Sequence, residues 1–174
     1  MRRTPALSLV LTLSLGLLSG CGPDTQAQEL TAQPVSVQPA GSPAVDQALT
    51  SFGLSLLQSA REAESGPVLL SPLSAALALS MAANGADGDT LAQFETVLGG
   101  GITLDELNAA YAQLLSDYGD LDGSTECLIA NSLWTDPEGM IREDFIGKCQ
   151  GIFDAQVFSQ DLSAPSVVPA VNSW

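Results

Sequence analysis

The sequence predicts a helix-rich domain of mixed α and β structure that these 174 residues carry only in part. Three observations lead there. From Val45 onward, apolar side chains recur at helical spacing and are broken by glycine and proline stops. One of those helices, Leu73 to Ala83, is apolar almost all round, and such a helix belongs in the middle of a domain. The segment Cys127 to Trp134 is apolar on both faces and reads as a central strand. A central strand without neighbours leaves unpaired backbone and exposed edges. The last residues, Pro169 to Trp174, read as the opening turns of a helix with nothing to pack against. The expectation is therefore the front of a larger domain, with the rest of its sheet beyond Trp174.

The N-terminus is an export signal. Arg2 and Arg3 precede an apolar run from Pro5 to Leu18, followed by Ser19, Gly20 and Cys21. The run is shorter than the roughly 18 to 20 apolar residues that a membrane-spanning helix needs. Leu18-Ser19-Gly20-Cys21 also resembles a bacterial lipobox, in which the cysteine is lipidated and becomes the first mature residue. This gives residues 1–20 as signal peptide and Cys21 as the lipidation site. An ordinary signal peptide ending near a cysteine is the plainer alternative, and a twin-arginine signal is the weaker one. The expected location is extracytoplasmic, anchored at the cell surface or the periplasmic face. Residues 22–43 are rich in Gln, Pro, Ala, Thr and Ser without helix or strand periodicity. They read as a flexible tether spanning about 25 Å on average, and the domain proper as residues 44–174.

The elements follow in order. Val45, Leu49, Phe52 and Leu56 define a first helix, with Ser42 as cap, Pro43 at its first position and Gly66-Pro67 as its stop. Pro67 to Leu70 is a short strand candidate. Ser71 caps the apolar helix and Pro72 opens it. After a turn at residues 84–88, Asp89 or Thr90 caps a short helix with Leu91, Phe94, Val97 and Leu98 inward, ended by Gly99. Thr103 and Glu106 form a capping box for the next helix, whose inward face is Leu104, Leu107, Tyr111, Leu114 and Leu115, with Tyr118 as a further candidate. An acidic loop leads to the strand ending at Trp134, and Asp136 to Gly139 turn the chain. Ile141, Phe145, Cys149, Ile152 and Phe153 mark another helix. Ala155 to Phe158 reads as a strand, and the last helix begins near Ser166.

Composition excludes several classes. The chain has no histidine, which removes Ser-His-Asp and Cys-His nucleophile systems and every histidine metal site. Five basic residues stand against twenty acids, a formal charge of −15. Cleavage before Cys21 leaves Arg61, Arg142 and Lys148 against the same twenty acids, a charge of −17. Such a surface repels phosphate backbones and anionic headgroups, so no nucleic acid partner is expected and membrane attachment runs through lipid. The acids Asp117, Asp120, Asp122 and Glu126 fail the calcium-loop pattern, since Gly123 as turn glycine would put Tyr118 and Ile129 at ligand positions. No metal, cofactor or catalytic residue is expected. Cys127 and Cys149 are either a disulfide or free thiols on apolar faces.

The ordered set of segments then carries a resemblance. Val68-Leu69-Leu70-Ser71-Pro72-Leu73-Ser74, Ala83-Asn84-Gly85-Ala86 and Gly88-Asp89-Thr90 before Leu98-Gly99 resemble the start of the serpin fold. Ala130-Asn131-Ser132-Leu133-Trp134, Phe145 to Phe153, Ala155 to Phe158 and Val171-Asn172-Ser173-Trp174 continue it in the same order. The resemblance implies an α+β domain, with helices A to E and the start of helix F around part of the main sheet. It implies protease inhibition, in which a cleaved reactive loop inserts as a strand and traps the acylated protease. It also places Ser71, Ser74, Asn131 and Asn172 in the shutter region where strands part, with Trp134 nearby. The bland readings are that Ser71 is simply a helix cap, Asn131 a strand amide bonded to backbone and Trp134 core packing.

Two departures matter. In serpins the reactive loop, its hinge and most of the sheet lie beyond the position of Trp174, so these residues alone hold no reactive bond and should not inhibit. The helix that would bind heparin, Thr103 to Tyr118, carries Asp105, Glu106 and Asp117 with no Lys or Arg, so no heparin control is expected. The rival readings are a binding or scaffold lipoprotein with a partial serpin fold, and a nonfunctional truncated relic. An enzyme is not expected.

Overall fold

A computed structural model describes residues 27–174 as six helices and three strands, in the order β1, α1 to α4, β2, α5, β3, α6. The leader, the lipobox and Cys21 lie outside the described residues.

Proline and serine set the first two helices. In α1 (Pro43–Ala63) the Ser42 side chain accepts from the Val45 N–H, with Pro43 opening the helix. In α2 (Pro72–Ala83) Ser71 accepts from Ser74 N–H in the same way. These caps satisfy amides that have no partner within a helix, and proline at the first position has no N–H to lose. The first helix ends at Ala63, three residues before the glycine expected to stop it.

The capping of α3 (Gly88–Gly99) differs from expectation. Asp87, rather than Asp89 or Thr90, caps it, and Gly100 in left-handed geometry closes it. Val97 is 59% exposed, so the inward face is Leu98 with Phe94 partly buried. The capping box of α4 (Leu104–Gly119) is half formed. Thr103 accepts from Glu106 N–H, but the Glu106 carboxylate receives the Ser42 hydroxyl instead of turning back to Thr103. The Leu104 N–H is taken by Glu95 from α3, so neighbouring helices share their end groups. Leu107 and Tyr111 of α4 are buried as expected, whereas Tyr118 is exposed.

The sheet holds β1 (Gln28–Leu30), β2 (Asn131–Thr135) and β3 (Ala155–Ser159) in the order β1-β3-β2. β3 runs parallel to β2, with Leu133 opposite Val157, and antiparallel to β1, with Leu30 opposite the same Val157. The helix α5 (Glu143–Phe153) makes the crossover and ends at Asp154 in left-handed geometry. The core joins Phe52, Leu77, Leu98, Leu107, Tyr111, Ile152, Phe153 and Val157.

Three expectations are corrected. The strand expected over 127–134 pairs only from Asn131, because β3 offers five partners, and among the described residues β2 is an edge rather than the centre. Residues 67–70 form no strand: no backbone partner among the described residues faces them, and Leu69 is 97% exposed. The run instead borders an apolar groove against Leu54 and Leu57 of α1. Finally, residues 28–40 are not a free tether. They form β1 and a strap laid over α5. The all-apolar α2 packs on α1, α3, α4 and α5 but leaves Ala78, Leu79 and Ala82 exposed. The C-terminal α6 (Val167–Ser173) buries no residue, and the Trp174 indole that follows donates to Gln156 Oε1 at 2.5 Å.

Candidate functional site

The sheet is the candidate site, because the two sides of its central strand are covered differently. On one side β3 is covered by the short β1 of the chain's own N-terminal segment, while on the other β2 presents its outer edge with no partner among the described residues. An open edge of N–H and C=O groups can accept a strand.

The covered side is built from backbone and glycine. Beyond β1, the Gln150 side chain receives the Ala32 N–H and donates to the Leu30 carbonyl, each at 3.0 Å. Val35 N–H donates to the Gly147 carbonyl at 2.8 Å, and Ala40 N–H reaches the Ala109 carbonyl at 3.1 Å. A Cβ at Gly147 would collide with the Gln33 carbonyl, and one at Gly151 with the Val35 carbonyl. These two glycines, four apart on one face of α5, let the strap lie directly on the helix. Nothing in the periodicity of residues 22–43 signals this, because backbone makes most of the contact. The glycine pair flanking Gln150 is the one sequence signal that could have.

The four residues assigned to the shutter by resemblance do not form one cluster of hydrogen bonds among the described residues. Ser71 and Ser74 bond each other, hydroxyl to hydroxyl, at 2.8 Å, both exposed on α2. Asn131 begins β2 and donates to the Phe153 carbonyl at 2.8 Å. That bond fixes β2 to the end of α5. Asn172 is exposed on α6. Trp134 stacks on Phe158 across the β2–β3 pair, with ring centroids 4.5 Å apart, and its N–H donates to Ser132.

Two polar features between α2 and α4 escape sequence reading. Asn84 and Asn108 pair their side chains in the core, and Asn84 also donates to the Ser80 carbonyl. The Tyr111 hydroxyl is buried beside Ser80, yet neither hydroxyl has a hydrogen bond of good geometry. Desolvation raises the Tyr111 pKa, opposed only in part by the nearby serine.

Cys127 and Cys149 are free, and burial pushes the Cys149 thiol up to about 11, away from nucleophilic use. The Asp122 carboxylate accepts from Ser124 and Thr125 of its own turn, which lowers its pKa. No group of three or more potential metal ligands occurs among the described residues, and none of their helices is long and apolar enough to cross a membrane.

A helical layer packed on this mixed sheet defines an α+β domain of the kind the segment order implied. The comparisons identify it. The family model for serpins, serine protease inhibitors, matches residues 47–174, and the chain belongs to that family. It is 27% identical over 171 residues to the plasma serine protease inhibitor of Mus musculus, covering 96% of this chain and 41% of that protein. The thermophilic serpin tengpin in its native state superposes with a TM-score of 0.72 at 30% identity, over 86% of this chain and 39% of that one. A loop C-sheet serpin polymer gives 0.69 at 30% identity, over 84% and 38%. The chain thus spans about two fifths of the length of these relatives.

Proposed function

We propose that these residues are the N-terminal part of a lipid-anchored serpin whose complete form is a suicide inhibitor of serine or cysteine proteases. In that reading a cleaved reactive loop adds to the main sheet and holds the acylated protease. The family match over 47–174 carries the proposal. The open β2 edge and the exposed apolar groove at Leu69 support it, since both are surfaces that the remaining three fifths of a relative's length would cover. The 174 residues alone have no inhibitory activity in this reading, no cofactor and no heparin site. Cys21 carries the lipid that holds the protein on the extracytoplasmic side of a membrane.

The deciding experiment is to read the source DNA after the Trp174 codon. A frame that continues for about 200 residues should encode a product that forms a covalent, denaturant-resistant complex with a protease. A stop codon at that point, or a full-length product that is only cleaved, overturns the inhibitor; a stop codon leaves the choice between a scaffold lipoprotein and a truncated relic.

A further inference from the structure

The docked strap changes what an anchor at Cys21 can do, and this inference rests on the lipid-anchored reading above. Gln28, where β1 begins, pairs with Ser159, and Ser159 pairs on its other side with Thr135. The N-terminal segment therefore enters the body at the end of the sheet where β2 and β3 finish. Two loops leave from that same end, residues 136–140 after β2 and 160–165 after β3. They are tied together by Gln160 N–H to the Thr135 carbonyl at 2.9 Å and Leu162 N–H to Asp136 Oδ2 at 3.4 Å. Each presents an apolar side chain outward: Met140 is 98% exposed and Leu162 45%.

Gln28 stands seven residues from Cys21. Seven residues reach at most about 25 Å. The described body has a diameter of about 40 Å for its length. A leash shorter than the body fixes which end can face the anchor. A tether running freely to residue 43 would impose no such restriction.

We propose that the sheet end carrying Gln28, Met140 and Leu162 is the membrane-apposed face of the protein, and that its partner is a bilayer surface of zwitterionic headgroups. The acyl anchor supplies the affinity, and the two apolar loop tips set the orientation. Asp136, Glu138 and Asp161 lie at the same end, so an anionic surface would repel it.

The test uses the full chain, lipidated in a bacterial host and reconstituted into phosphatidylcholine vesicles that carry a headgroup-labelled acceptor lipid. A donor dye is attached at Met140→Cys or at Leu128→Cys, each with Cys127→Ser. Leu128 is 84% exposed and precedes β2 at the opposite end of the sheet. Energy transfer is expected to be at least twofold greater from position 140 than from 128. Insertion of twenty Gly/Ser residues between Cys21 and Gln28 should abolish the difference without touching the body. Equal transfer on the native leash, or greater transfer from 128, overturns the proposed face while leaving the anchor intact. A mature mass without acyl chains, with the protein free of vesicles, overturns the anchor and this orientation together.

Discussion

Asn84 and Asn108 exchange side-chain hydrogen bonds of 2.9 and 3.0 Å between the end of α2 and the first turns of α4, and both are buried. The pair couples two helices whose register the apolar residues alone fix loosely. Replacing one member leaves the other amide buried with fewer partners than it needs, which costs about 2 kcal/mol. Asn108→Leu should lower the urea midpoint of the chain accordingly. The double variant Asn84→Ala/Asn108→Ala should be less unstable than the sum of the single variants, by about 1 kcal/mol. Strict additivity in urea unfolding would mean that the pair contributes no coupling.

The strap depends on glycine. Gly151→Val sets a branched side chain against the Val35 backbone and should release residues 28–40 while β2 and β3 stay paired. Hydrogen exchange reads this directly: the Ala32 and Val35 amides lose protection, and the Leu133 and Phe158 amides, which face each other's strand, keep theirs. Gln150→Leu is the gentler version, removing two hydrogen bonds and costing about 1 to 2 kcal/mol. Retained protection at Ala32 in both variants would contradict the glycine account.

Alkaline pH should weaken the fold. Cys149 has its pKa raised from 9.0 to about 11, and Tyr111 is raised above 10.0, in each case chiefly by burial. The folded state therefore holds protons that the unfolded chain gives up, and stability falls as pH rises from about 9. A single such group contributes a slope of about 1.4 kcal/mol per pH unit between its two pKa values. Unfolding of the parent and of Cys149→Ala at pH 8 and pH 10.5 tests this, and the variant should lose less stability over the interval.

The two thiols should differ in reactivity. Cys127 is half-buried before β2, whereas Cys149 is enclosed on the inner face of α5. A maleimide at pH 7.5 is expected to modify Cys127 in the native protein and Cys149 only after denaturation. Prompt native labelling of Cys149, read by peptide mass, would show that α5 opens far more readily than its packing indicates.

Much of this architecture was legible in the residues. Ser42-Pro43 and Ser71-Pro72 announce helix starts because the cap and the missing N–H act locally, and both caps form as expected. The apolar faces of α4 and α5 follow from spacing alone. The candidate site was less legible. Whether Asn131 starts a central or an edge strand depends on partners far along the chain. The bond from Asn131 to Phe153 spans twenty-two residues. Residues 67–70 look like a strand by composition, yet a strand exists only where a neighbour supplies hydrogen bonds, and none among the described residues does.

The sequence by itself determined the helix boundaries to within a few residues and the family to which the segment order belongs. These are local or cumulative properties of side chains. Only the tertiary structure decided that residues 28–40 are a strap, that Glu106 bonds Ser42 rather than completing its own box, and that Asn84 finds Asn108. Each of these rests on polar groups whose partners become neighbours only after the apolar faces have packed. Hydrogen-bonding capacity is written in the chain, but the choice of partner is made by the fold.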